Sequence, residues 1–304
     1  MGNDIFVIKI PGMINYNPKE WFSFIFRFHK ADTFRRLFWL ILAICAYAGG
    51  IAFLESRVFK LTENSQIRNI TMMHSLLGFV ISMLLVFRTN TAYDRWWEGR
   101  KLWGSLVNNS RNLALKLTAM LGREDEENCS FFRKTIPAYA TALKNHLLNE
   151  TTRIELFDNS PSLMAQIDSQ KHVPNQVAGM MLQRVMELYR EGRITGDQLI
   201  ILNDELQSFT DICGACERIK NTPIPFSYAV FIKKFMFFYI MTLPFGYFFS
   251  LGYMVIPLTG FVFYVLASLE LIGEEIEDPF GGDPNDVPTE KIAHNIQVHI
   301  LELI

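Results

Sequence analysis

The run from His74 to Gly104, HSLLGFVISMLLVFRTNTAYDRWWEGRKLWG, constrains this 304-residue chain more than any other, because an apolar stretch of membrane length passes straight into a charged, tryptophan-rich one. No proline interrupts the junction, so one helix is expected to leave the membrane without a break. On a helical period Phe79, Met83 and Phe87 share one stripe, and Gly78 and Ser82 share a neighbouring one. The small stripe predicts close packing against other helices. The bulky stripe is left to line something. Repeated around a symmetry axis, it would stack three apolar rings into a constriction that can gate ions by dewetting.

The remaining apolar blocks set the topology. Leu37 to Leu54 and Ile70 to Phe87 are each roughly 18 residues, or ~27 Å as a helix, enough to cross the hydrocarbon core. Two further spans are expected from Phe235 to Leu251 and from Met254 to Ile272, with only Gly252 and Tyr253 between them. Basic residues gather before the first span (Arg27, Lys30, Arg35, Arg36), after the second (Arg88, Arg95, Arg100, Lys101) and before the third (Lys233, Lys234). The positive-inside bias therefore puts these flanks and both termini in the cytoplasm. Pro244 and Pro257 fall within the last two spans, tolerable where neighbouring helices meet the freed carbonyls. Residues 1–36, with Pro11, Pro18 and the aromatic run from Trp21 to Phe26, have no small-residue cleavage site and predict an amphipathic cytoplasmic segment at the membrane interface.

Between the second and third spans, residues 88–230 are polar with helical periodicity and no strand-like alternation, which predicts a cytoplasmic helical bundle. Its internal loop is expected from Asp158 to Pro174, with helices over Val177 to Arg190 and Gln198 to Lys220 that Pro223 and Pro225 then end. Composition agrees with apolar blocks set in an ordinary soluble sequence: half the residues are hydrophobic, 26 are Phe, and 20% are charged. A net charge of −2 argues against a nucleic-acid partner, which calls for a basic surplus on one face. Cys213 and Cys216 form a lone CxxC with no second pair, so packing, not zinc or a disulfide framework, is the expected role.

Three separated motifs give the chain a family resemblance. They are Phe87-Arg88-Thr89-Asn90-Thr91-Ala92-Tyr93-Asp94-Arg95-Trp96-Trp97-Glu98 with Lys101-Leu102-Trp103-Gly104, Cys216-Glu217-Arg218-Ile219 running into Thr222-Pro223-Ile224-Pro225-Phe226, and Glu275-Ile276-Glu277-Asp278-Pro279-Phe280-Gly281. In this order they resemble the bestrophins, pentameric ion channels, and in particular their bacterial branch. The resemblance implies an all-α membrane protein with four transmembrane helices per subunit (residues 37–87 and 231–272), a cytoplasmic helical region (88–230), a cytoplasmic acidic turn and tail helix (273–304), and a homopentamer in the bacterial inner membrane. The implied activity is passive conduction of small ions through a hydrophobic neck lined by the second span.

On that resemblance Phe79, Met83 and Phe87 correspond to the pore neck. Met83 is the departure, a flexible thioether softening the constriction. Phe ring edges carry positive partial charge that can meet a dehydrating anion. Two Phe rings around one Met ring leave chloride or other anions, and monovalent cations, both open as permeant ions. Asn90 and Asp94 continue the stripe and are expected to face an inner cavity. Asp197-Gln198-Leu199 is the nearest match to a second, cytoplasmic constriction, where Gln198 would restrict passage less than an aliphatic ring. Calcium-gated relatives bind calcium through acids just after a similar Pro-Phe-Gly. Here that run is thinned by Gly282 and Pro284, leaving Asp283 and Asp286 as the metal candidates. No cofactor is required by this reading.

Other classes have less support. Arg88, Asp94, Arg95, Glu98 and the paired tryptophans are by default interhelical ion pairs and interface anchors. Glu270, Glu274 and Glu277 share a helical face and would repel unless cations compensate. A membrane-anchored oligomeric scaffold, in which the stripe is packing alone, is the competing reading. No HExxH, phosphate loop or serine elbow is present to support an enzyme.

Overall fold

The computed structural model describes residues 33–58, 70–122, 124–148, 167–168 and 170–304. The expected N-terminal lead-in as far as residue 32, most of the first connector and most of the expected internal loop lie outside these residues. Among the described residues the chain is all-helical: α1 (Thr33–Phe53), α2 (Ile70–Leu121), α3 (Glu126–Leu147), α4 (Val173–Arg190), α5 (Gly196–Asn221), α6 (Phe226–Leu251), α7 (Val255–Glu277) and α8 (Thr289–Leu303). It divides into an apolar unit, Asn15–Arg95 with Pro223–Glu277, and a polar unit that includes Trp96–Thr222 and Asp278–Ile304.

Three stretches of the apolar unit and its continuation are long and apolar enough to cross a membrane: Thr33–Arg57, Thr71–Leu121 and Phe226–Glu277. The last is broken by a 3₁₀ turn at Gly252–Met254, where Gly252 takes φ +55° and lets α7 double back on α6. The α6 helix begins at Phe226, well before the expected span, so Lys233 and Lys234 are helical rather than flanking. The acidic run is likewise helical, since α7 continues to Glu277.

Small residues set the approach of these helices. A Cβ at Gly260 of α7 would lie 2.5 Å from Cys45 Sγ of α1, so the absence of a side chain at Gly260 makes room for Cys45. A Cβ at Gly78 of α2 would lie 2.8 Å from Tyr239 Oη of α6, which is the close packing its small stripe predicts. Ser82 departs from that expectation: it faces outward, and its hydroxyl donates back to Gly78 O at 2.7 Å. The α2–α6 contact is completed by His74 Nε2 with Thr242 Oγ1 at 3.0 Å and by Thr71 Oγ1 donating to Gly246 O at 2.7 Å. Pro244 is accommodated within α6, where Tyr47 Oη of α1 donates to the nearby Met241 O at 2.9 Å. Pro257 lies in the first turn of α7, where a missing N–H costs no helical bond.

The polar unit is a bundle of α3, α4, α5, α8 and the second part of α2, built on fully buried Trp103, Phe132, Tyr139 and Phe209. Tyr139 Oη donates to Phe209 O at 2.5 Å, so its polar end is satisfied inside the core. Unexpectedly from sequence, α2 ends at Leu121, Gly122 follows with φ +80°, and Asp125 then caps α3 by accepting from Asn128 N. Cys213 and Cys216 are buried free thiols in this core, and burial, then the Glu217 charge, pushes the Cys213 thiol up to about 12. That is the packing role expected of them.

Candidate ion pathway

The fifty-two residues of α2 divide cleanly by face. Ile81, Leu85, Arg88 and Ala92 are buried against the chain's own helices. At ~100° per residue the opposite side carries Phe79, Met83, Phe87, Asn90 and Asp94, all exposed. The three apolar members are 67%, 48% and 53% exposed, a bulky stripe that no other described residue covers. Hydroxyls on the outer faces are folded back: Thr91 Oγ1 donates to Phe87 O at 2.9 Å, as Ser82 does to Gly78. Along this stripe the exposed side chains are apolar as far as Phe87 and polar at Asn90 and Asp94.

The buried side of the same turns is held by charge. Arg88 places Nε 2.9 Å from Glu270 Oε2 and Nη2 3.3 Å from Glu277 Oε2. Arg95 Nε donates to Glu277 O at 2.8 Å, and Glu277 Oε1 accepts from Ile224 N at 2.8 Å. Lys233 lies 3.0 Å from Glu274 and 3.8 Å from Glu270, and Arg36 lies 2.5 Å from Glu275. The acids that would repel along α7 are thus compensated by cations from α1, α2 and α6, and Arg88 and Arg95 serve as interhelical clamps. One residue from each of the three sequence motifs, Arg88, Ile224 and Glu277, meets at this network.

In the polar unit the other half of the third motif docks on α2. Phe280 sits over Gly99, where a Cβ would come 3.0 Å from Phe280 Cζ, and Trp96 Nε1 donates to Asn285 O at 2.9 Å. Asp286 Oδ2 accepts from the backbone N–H of Asp283 at 2.6 Å, while its Oδ1 is buried without a hydrogen-bond partner among the described residues. Burial, reinforced by the charges of Asp283 and Asp278, pushes the Asp286 carboxyl up to about 7. The Asp283 carboxylate is exposed, so the two acids meet through backbone and side chain, not as paired carboxylates.

Comparison with known proteins decides the family. The sequence profile of the bacterial and fungal bestrophin proteins matches residues 13–302. The chain belongs to this bestrophin family. Among curated relatives, a voltage-dependent anion channel-forming protein of Nostoc is 38% identical over 230 residues, covering 74% of this chain and 75% of the relative. One of the same description from Escherichia coli K12 is 30% identical over 242 residues, covering 75% of each. A Synechocystis relative is 28% identical over 293 residues, covering 95% of this chain and 93% of its own. In fold, this bestrophin is similar to a solved bestrophin homologue from Klebsiella pneumoniae carrying a point mutation, with TM-score 0.77 and 24% identity over 88% of this chain and 99% of that one.

Within this bestrophin, Gln198 has a local role that its sequence context did not suggest. Thr195 caps α5 by accepting from Gln198 N at 3.3 Å, and the Gln198 side chain returns to accept from Thr195 N at 2.9 Å. This is a reciprocal capping box. Ile200, two residues on, is 66% exposed, and with Ile201 it makes an exposed apolar pair on this polar helix. His146, His172 and Glu217 also come together here, and no motif pointed to them as a group.

Proposed function

We propose that five copies of the chain surround an axis with α2 innermost and conduct small anions passively across the bacterial inner membrane. The observation that carries this reading is the uncovered stripe Phe79, Met83 and Phe87, opposite the face by which α2 packs on its own chain. Set around an axis, five such stripes form a narrow apolar neck that ions pass only when it wets. The Phe edges present positive partial charge to an anion shedding water. The relatives, voltage-dependent anion channel-forming proteins, favour chloride-like cargo over cations.

In this reading α1, the first part of α2, α6 and α7 make four crossings, and both termini and the polar unit are cytoplasmic. Asn90 and Asp94 face the cavity below the neck. A cytoplasmic ring forms near the start of α5, with Ile200 a stronger candidate than Gln198, whose side chain is engaged in capping. The reading requires no cofactor; a calcium ion would be held by Asp286 and Asp283, and loss of a calcium response in Asp286→Asn tests it.

The deciding experiment is the reversal potential of purified protein in a planar bilayer under a KCl gradient. A shift toward the chloride potential supports the proposal. A shift toward the potassium potential makes the protein a cation channel and moves the selectivity to Asn90 and Asp94. Folded, oligomeric protein that passes no current over a wide voltage range leaves the scaffold reading.

A further inference from the structure

Three side chains of the polar unit that take no part in the stripe or the ion-pair network converge from separate segments. His146 stands in the last turn of α3, His172 is the N-cap of α4, and Glu217 lies near the end of α5. Both imidazole Nε2 atoms lie 2.6 Å from the same oxygen, Glu217 Oε1, and the two rings are 4.4 Å apart. One ligand atom from each residue falls within 4.8 Å of the others, the one such grouping of histidine, cysteine and acid side chains among the described residues. We propose that His146, His172 and Glu217 form a binding site for a divalent transition-metal ion, held by the two Nε2 atoms and a Glu217 oxygen with water completing the shell.

The donor set selects the class of ion. Two imidazoles and one carboxylate suit Zn²⁺ and its neighbours Co²⁺, Ni²⁺ and Cu²⁺, and are a poor match for calcium, which wants six to eight oxygens. Glu217 supplies the carboxylate oxygen that both imidazoles already face. Each of the three side chains is about a third exposed, at 31%, 32% and 31%, so an ion can enter and keep a water. Cations nearby are occupied elsewhere: Lys220 Nζ donates to Leu147 O, and Arg218 pairs with Glu98 at 2.9 Å.

Proton placement makes the proposal specific. His172 Nδ1 accepts from Asn175 N at 3.2 Å, so in the metal-free chain the His172 proton sits on Nε2 and points at Glu217. An ion on Nε2 requires that proton to move to Nδ1, which ends the capping bond. A tetrahedral ion with ligands at ~2.0–2.1 Å separates its donors by roughly 3.3 Å, so the carboxylate must withdraw from the imidazoles by under about 1 Å. Metal binding therefore exchanges a helix cap for a three-segment staple.

The test is Co²⁺ titration of the full chain, purified in detergent and stripped by chelator, followed by displacement with Zn²⁺. One Co²⁺ per chain is expected, with the visible absorption of a four-coordinate nitrogen and oxygen site that Zn²⁺ abolishes. His146→Ala and His172→Ala should each weaken binding by about 100-fold or more, since removing even an outer partner of a ligand costs 10–100-fold. Glu217→Gln keeps the side-chain shape and an acceptor oxygen. It should lose metal affinity while keeping a cooperative metal-free unfolding transition close to that of the wild type, which separates ligation from folding. His299→Ala, on α8, should bind as before. Binding that survives all three site substitutions, stoichiometry well below one per chain, or a thiolate band marking Cys213 and Cys216 would each overturn the proposal and leave the trio a hydrogen-bonded contact between helices.

Discussion

Arg88 Nε lies 2.9 Å from Glu270 Oε2, joining α2 to α7 through two side chains that are only 3% and 4% exposed. Arg88 follows Phe87 directly, so the charge that anchors the helix and the ring that leaves it are adjacent in sequence and diverge by one ~100° step. The pair therefore sets which way the stripe faces as well as holding the helices together.

Removing one member of a buried pair leaves the other uncompensated, at a cost of about 3–5 kcal/mol. Arg88 serves two acids, Glu270 and Glu277, whereas Glu270 is also approached by Lys233 at 3.8 Å. Arg88→Met should accordingly be more destabilising than Glu270→Gln, and the two together should cost less than their sum. Thermal unfolding of the detergent-solubilised oligomer measures all three. Equal stability of Arg88→Met and wild type would mean the pair contributes nothing to the fold.

The approach of α1 to α7 at Gly260 gives a second expectation. A methyl placed 2.5 Å from Cys45 Sγ forces displacement, so Gly260→Ala should destabilise by roughly 1–3 kcal/mol despite alanine's better helix propensity. Cys45→Ala in the same chain should recover most of that loss, because the two changes share one contact. A double variant no more stable than Gly260→Ala would place the strain elsewhere.

Asp286 predicts a pH dependence. Its folded carboxyl is pushed up to about 7 from an ordinary 3.8, so the folded chain holds this proton more tightly than the unfolded one. The stabilisation linked to it is fully present below about pH 4 and is lost as pH rises through about 7. Asp286→Asn, neutral throughout, should flatten that part of the unfolding profile and exceed wild type in stability near pH 8. Parallel unfolding curves for the two proteins between about pH 5 and 8 would contradict the assignment.

The exposed stripe predicts a functional change with little structural cost. Met83 is 48% exposed and outside the apolar core clusters, so Met83→Ala should leave monomer packing intact. It should raise single-channel conductance by widening the middle ring of the neck. Unchanged conductance would remove Met83 from the pathway.

Much of this architecture was legible from local pattern. The uninterrupted α2, the reversal at Gly252 and the outward stripe follow from apolar length, glycine and helical spacing, which act within a few residues and so are written in consecutive positions. The compensation of the α7 acids was anticipated in kind but not in its partners. Gln198 also caps α5 together with Thr195, three positions back, a role whose geometry only the folded turn reveals. The end of α2 at Leu121 carries only Gly122 as a signal, and Ser82 faces out because its hydroxyl can be satisfied within its own helix.

What the amino-acid order determined by itself is therefore the all-helical class, the apolar stretches long enough to cross a membrane and the two faces of α2, since periodicity and hydrophobic length are local properties. What only the tertiary structure decided is which distant charges meet. Arg88 finds Glu270 and Glu277 across α7, and His146 and His172 find Glu217 from 71 and 45 residues away. Those meetings depend on helix packing, and buried or half-buried charges accept only the partners that packing brings within about 3 Å.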